Sequence, residues 1–550
     1  MALLIDLFGY LSIVLHGFTI VAQSLAVGGV FFLLLVALPF RARLGAAGAE
    51  IAGGTVRLAA WSAVALLACE ALTVGLQAAV LVGTVDLSIA NALGADFAVA
   101  GLVKAGAAAL LAALLFARAE RTPPAALLLL AVLELAAATL TTHAAARLDA
   151  RVPLLLVNFL HQLGAALWIG GIPSFLLALA RVRGGDAHRL IGARFSRVSM
   201  AGVACILLSG VVMSVLYVGD AQGFYGTAYG VMVGAKIVMF LMLLGLGGMN
   251  FLAVERLRSD PSASVNRLKR FAEVEVGIGL AIFFAAASLT SVPPAVDLTQ
   301  DRVTLAEIAD RNAPRWPRLV SPDHDQLALP ALQAQLDQEA AKNEAKPPPA
   351  FVPGSGDLPP RNADDIAWSE YNHHWSGLFV LAIGLLALLN QAGLRWARHW
   401  PLIFVGLAVF LFLRSDPEVW PLGEQDFIAS FRDVEVLQHR VFVALILLFA
   451  WFEWRVRAQG WGDRRAALVF PLLSALGGIL LLTHSHAIAN IKDQLLIELT
   501  HTPLALTAIV AGASRWLELR LGPPGSRIAG WIWPVCMALI GLMLLSYREA

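Results

Sequence analysis

Only three cysteines occur in 550 residues, and Cys69, Cys205 and Cys536 each stand alone inside an apolar run. That spacing excludes a disulfide framework and a Cys-x-x-Cys metal or redox motif, so the three read as packing residues. Charge is scarce too: 14% of residues are charged and 58% hydrophobic, where a soluble domain carries roughly 25% charged residues. With a net charge of +1 the chain has no basic surplus for a nucleic acid. There is no Gly-x-x-x-x-Gly-Lys-[Ser/Thr] loop and no soluble stretch large enough to hold ATP, which argues against primary pumping. No Ser/His/Asp or Cys/His arrangement stands out in the polar loops, so the chain reads as a non-enzyme. No Lys or Arg precedes the first apolar run, only Asp6. Lacking the charged n-region of a cleaved signal peptide, that run reads as a membrane span.

What is present is hydrophobic length. Apolar runs fall near residues 8–39, 58–83, 97–118, 124–142, 153–180, 197–217, 230–254 and 272–291, and then near 375–394, 400–414, 438–455, 467–483, 495–515 and 528–546. Crossing a hydrocarbon core takes about 20 apolar residues. The pattern predicts an all-α polytopic membrane protein of about fourteen transmembrane helices, eight and then six. Its expected parts are a membrane domain over 1–291, a Pro-rich linker or cap over 292–372 and a second membrane domain over 373–550. Within the linker the sequence suggests a short helix over Leu327–Asn343.

Basic residues orient the array. Arg41 and Arg43, Arg118 and Arg121, Arg181 to Arg197, Arg256 to Arg270, Arg395 and Arg398, Arg455 to Arg465 and Arg515 to Arg527 all fall in loops on one side. Counted this way, they place that side in the cytoplasm. Both termini and the 292–372 segment then lie outside, with membrane lipids around the helices.

The stretch from Leu482 to Thr502 holds three histidines and a glutamate between two apolar runs. Ten of the twelve histidines fall outside or in the outer half of a helix; only His188 and His399 fall inside. Neutral imidazole is the commonest protein metal ligand. The candidate ligands are therefore His484, His486, His501, His161, His143, His16, His373, His374 and His439, with Glu498 one turn before His501. His484 and His486 do not share a helix face and need an unwound end. Asp416, Glu418, Glu424, Asp426 and Asp433 form an acidic outer loop that would concentrate cations.

Methionine is uneven as well. Met232, Met239, Met242 and Met249 follow a 7-3-7 spacing that puts them on one stripe. Thioethers prefer Cu(I), so Met239 and Met242 extend the candidate copper path, with gap-filling packing as the alternative. Gly226, Gly230 and Gly234 predict tight packing of the same region. Lys236 needs a partner such as Glu70 or Glu134, or an aqueous cavity. An internal echo completes the pattern: His161 follows His143 by 18 residues, and His501 follows His484 by 17. Asn158 and Glu498 each lie three residues before the second histidine, as in a helical repeat with its site between the halves.

Over Asn158–Pro173 and Ser288–Ala295 the chain resembles the bacterial copper resistance protein D family of inner-membrane proteins, best over about residues 150–300. His161, Trp168, Gly170 and Gly171 match the family's motif directly, and the stretch around His484–Pro503 resembles longer members more loosely. The resemblance implies copper handling at the periplasmic face and uptake into the cytoplasm. It also implies a small periplasmic copper-binding protein as partner, which must be separate because no cupredoxin-like domain is fused here. The residues themselves leave Cu(I) and Cu(II) open. Two other readings remain: a haem-binding b-type cytochrome built on paired transmembrane histidines, and an assembly factor that holds copper without moving it.

Overall fold

The computed structural model describes residues 2–85, 87–118, 122–147, 151–298, 302–324, 327, 363–458, 465–483 and 491–549. Of the described residues 84% are helical, and they form no strand. Ten segments among them are long and apolar enough to cross a membrane. The first, Phe8–Val85, is 78 residues long and breaks at Gly45, whose φ of 57° lies in the left-handed region that favours glycine. Pro124–Thr139 and Ala466–Leu482 are shorter apolar helices. Every apolar run named above is mainly helical where it is described, with turns at some of the run ends. The predicted Leu327–Asn343 helix lies outside the described residues apart from Leu327.

The chain's contacts fall into two units. The N-terminal unit comprises Leu11–Asp220 and Lys236–Asp297. The first helix, Ala2–Phe32, enters this unit at Leu11 and continues through a π turn at Leu33–Ala37. A second π turn, Ala166–Gly170, interrupts the span formed by Arg151–Ala165 and Ile172–Arg181. Here backbones touch. A Cβ on Gly170 would stand 2.0 Å from the Ser24 carbonyl oxygen, and one on Gly28 would stand 2.4 Å from the Gly170 carbonyl carbon. Such small-residue contacts are how helices approach closely where lipid tails supply no hydrophobic drive between them.

The C-terminal unit comprises Met1–Tyr10, Ala221–Ala235 and Leu298–Ala550. Its core is aromatic: Trp400, Phe404, Phe449, Phe470 and Trp533 are buried together, with Phe449 and Phe470 meeting edge to face at 4.4 Å. Cys536 is buried in this cluster, consistent with a packing role. Of the glycines spaced by four, Gly226 and Gly230 are tight against the carbonyls of Val303 and Gly223, whereas Gly234 faces open space.

From Leu298 on, the described part of the 292–372 segment is built into this second unit. Thr304 and Glu307 form a capping box that starts the helix Leu305–Arg311. Arg311 donates to the Arg548 and Glu549 carbonyls, and Arg548 donates back to the carbonyls of Asp310 and Ala313. Further along, the Arg318 N–H donates to His374 Nδ1 at 2.7 Å, and Trp375 Nε1 donates to the Leu319 carbonyl at 3.1 Å. Where it is described, this segment follows the unit's surface as a hydrogen-bonded cover.

Candidate metal-binding site

Helical spacing on Ala363–Gln391 puts Ser369 and His373 one turn apart. The His373 Nδ1–H donates to the Ser369 carbonyl at 2.9 Å, which leaves Nε2 carrying the lone pair. The ring stacks on Tyr547 at 3.7 Å between centroids. His501, on the helix Ile491–Arg520, is buried and stands at right angles to His373, 6.1 Å away by ring centroids. Glu549 closes the group: its Oε2 accepts from Tyr547 Oη at 2.9 Å and from Ser369 Oγ.

His439 on Val434–Ala458 is within electrostatic reach of His373. Its Nδ1 donates to Asp416 Oδ1 at 2.6 Å, the carboxylate contact that orients ligating imidazoles in metal sites. Around it the acidic loop is partly folded in. Burial, reinforced by Asp416, Glu435 and Asp433, pushes the Glu418 carboxyl up to about 7. Burial also raises Asp433.

The other candidates are dispersed. His374 has both nitrogens engaged, accepting from Arg318 and donating from Nε2 to the Tyr547 carbonyl at 2.9 Å. Glu498 accepts from Thr502 Oγ1 at 3.1 Å. His484 and His486 lie outside the described residues, as does the His143 side chain. In the N-terminal unit, His161 Nδ1 donates to Ser209 Oγ at 3.0 Å, because the Ser209 hydroxyl already donates to the Cys205 carbonyl at 2.6 Å. Lys236 is within electrostatic reach of His161, and Lys104 within reach of His16. A lysine cation beside each imidazole disfavours a second cation there. Among the described residues no three His, Cys, Asp or Glu side chains are positioned to hold a metal ion. What the structure brings together is the pair His373–His501.

Residues 189–289 match the model of the family described as copper resistance protein D. Over that segment the chain is similar to the copper resistance protein D family. It is also 30% identical over 162 residues to the copper transport protein CutJ of Bacillus subtilis (strain 168), an alignment covering 29% of each chain. The chain thus aligns with under a third of that relative's length. No solved structure matches.

The copper resistance protein D segment contains no histidine and six of the nine methionines. Met239 is fully buried, Met242 half-buried and Met249 exposed. One buried polar contact of the segment was not anticipated from the sequence. Glu275, 3% exposed, accepts from Asn250 Nδ2 and from the Trp168 side chain of the motif that carried the family resemblance. Lys104 was overlooked as well: it is the ion-pair partner of Glu70, the role the sequence suggested for Lys236. A lone lysine inside an apolar run is itself a signal of function or pairing. Neither match names haem.

Proposed function

We propose that this protein binds copper at the periplasmic face and carries it across the bacterial inner membrane into the cytoplasm, contributing to copper homeostasis and tolerance. It performs no chemistry on its cargo. The observation that carries the copper reading is the match to the copper resistance protein D family. The paired imidazoles of His373 and His501 support the binding half, since imidazole suits copper among other transition metals. The acidic loop around Glu418 would draw cations toward that end. The basic loops support fourteen crossings with both termini periplasmic.

Inward movement is favoured by an order of ligands: histidines outside, then the thioethers of Met239 and Met242 within the membrane. His484, His486, His143 and Glu498 join the outer set in this reading, and the His143–His161 and His484–His501 spacings make it one half of a duplicated design. A separate periplasmic copper-binding protein delivers the ion. The test is metal analysis of the purified protein followed by copper flux in reconstituted vesicles. Bound copper with inward flux and no Soret absorbance is the expected result. A Soret band would replace the reading with a haem protein, and tight binding without flux would replace it with a copper-holding factor.

A further inference from the structure

Three ionisable side chains meet inside the N-terminal unit, on spans whose other residues are almost all apolar. Glu70, from the Leu38–Val85 segment, and Lys104, from Asp96–Arg118, form an ion pair with side chains 4% and 3% exposed. Glu134, on Pro124–Thr139, is 1% exposed. Neither of its carboxyl oxygens has a hydrogen-bond partner among the described residues. It lies within electrostatic reach of both Lys104 and Glu70.

Charge counting decides what Glu134 is. The Glu70–Lys104 pair is neutral as a unit, and Lys104 is already in contact with Glu70. An ionised Glu134 would be a second anion sharing one cation, buried and without a single donor. Such a charge is strongly disfavoured, and a carboxyl so placed keeps its proton. Among the described residues the surrounding elements supply no further counter-charge in contact with it. The 38–85 segment adds Cys69, the first helix His16, which faces Lys104, and the Arg151–Ala165 helix Arg151 and His161.

We propose that Glu134 is an intramembrane proton-binding site, set against the Glu70–Lys104 pair, and that its proton is exchanged for the copper ion during translocation. A copper cation entering the same low-dielectric unit stabilises the ionised carboxylate, so copper entry and proton release from the Glu134 carboxyl are coupled. The coupling is reciprocal: a proton returning to Glu134 favours departure of the metal. The O–H bond of the carboxyl is the only one that breaks and re-forms, and nothing is oxidised. The exchange rests on the copper-transport reading; proton binding at Glu134 does not.

Two measurements separate these. In the infrared spectrum of the purified protein, wild type shows a protonated-carboxyl C=O band that Glu134→Gln loses and Glu134→Asp retains. Glutamine is the neutral isostere of a protonated glutamate, so E134Q keeps the wild-type melting temperature, whereas Glu70→Gln, which strands Lys104, lowers it. A band unchanged in E134Q, or a marked loss of stability in that variant, overturns the proton-binding assignment whether or not copper moves. In vesicles holding a trapped pH indicator, a copper gradient moves protons in wild type and moves none in E134Q. Copper entry without proton movement in wild type, or equal proton movement in E134Q, overturns the exchange while leaving copper transport standing.

Discussion

His373 and His501 stand edge to face, 6.1 Å between ring centroids, on two helices separated by 99 residues of sequence. If this pair holds copper, replacing both with Gln weakens copper binding by roughly tenfold or more, the scale of loss when a metal site is disturbed. His399, which accepts from Trp454 Nε1 at 3.2 Å, is the control: His399→Gln leaves occupancy unchanged. Metal titration of the three purified proteins is the check, and equal losses in all of them would remove the pair as a site.

Glu418 gives a pH signature. Its carboxyl is raised from an ordinary 4.5 to about 7, chiefly by burial and then by Asp416, Glu435 and Asp433. The folded protein therefore binds this proton more tightly than the unfolded chain. The stability it adds is complete below about pH 4.5 and is lost as pH rises through about 7. Glu418→Gln is expected to flatten that part of the melting-temperature profile. A profile as steep as wild type over the same window would contradict the assignment.

The helices were legible because span length and apolar continuity are local properties of a chain. The partners of the polar residues inside them were not. Glu70 was one of the options offered for Lys236, beside Glu134 or an aqueous cavity, but it pairs with Lys104, because which faces meet depends on how each helix is rotated about its axis. The repeat of Gly226, Gly230 and Gly234 predicted one tight face, yet Gly234 is open, because the opposing backbone reaches only the first two. Tyr547 and Glu549 escaped notice beside His373, since nothing local links the end of the chain to a helix about 170 residues earlier. The family motif was readable at Trp168, but its bond to Glu275 was not.

The methionine stripe predicts a separation of binding from movement. Leucine is close to methionine in volume, so Met239→Leu with Met242→Leu should cost under about 1.5 kcal/mol per site. If the thioethers carry copper inward, the double variant slows copper entry into vesicles while the outer site keeps its occupancy. Unchanged flux at normal expression would leave fully buried Met239 as a packing residue and remove the reason for preferring import.

The contact between the first helix and the π turn at Ala166–Gly170 leaves no room for a side chain. A Cβ at Gly170 would meet a carbonyl oxygen at 2.0 Å, and backbone, unlike a flexible side chain, has no alternative rotamer to take. Gly170→Ala is therefore expected to destabilise by about 1–3 kcal/mol, the usual range for overpacking. Gly234→Ala, where nothing lies within 4 Å, is expected to be neutral or slightly stabilising, because alanine restricts the unfolded chain and favours helix. Thermal unfolding in detergent compares the two directly. Equal behaviour would mean that the first helix can withdraw from the turn, and the backbone contact between Ser24 and Gly170 would then not be what seats it.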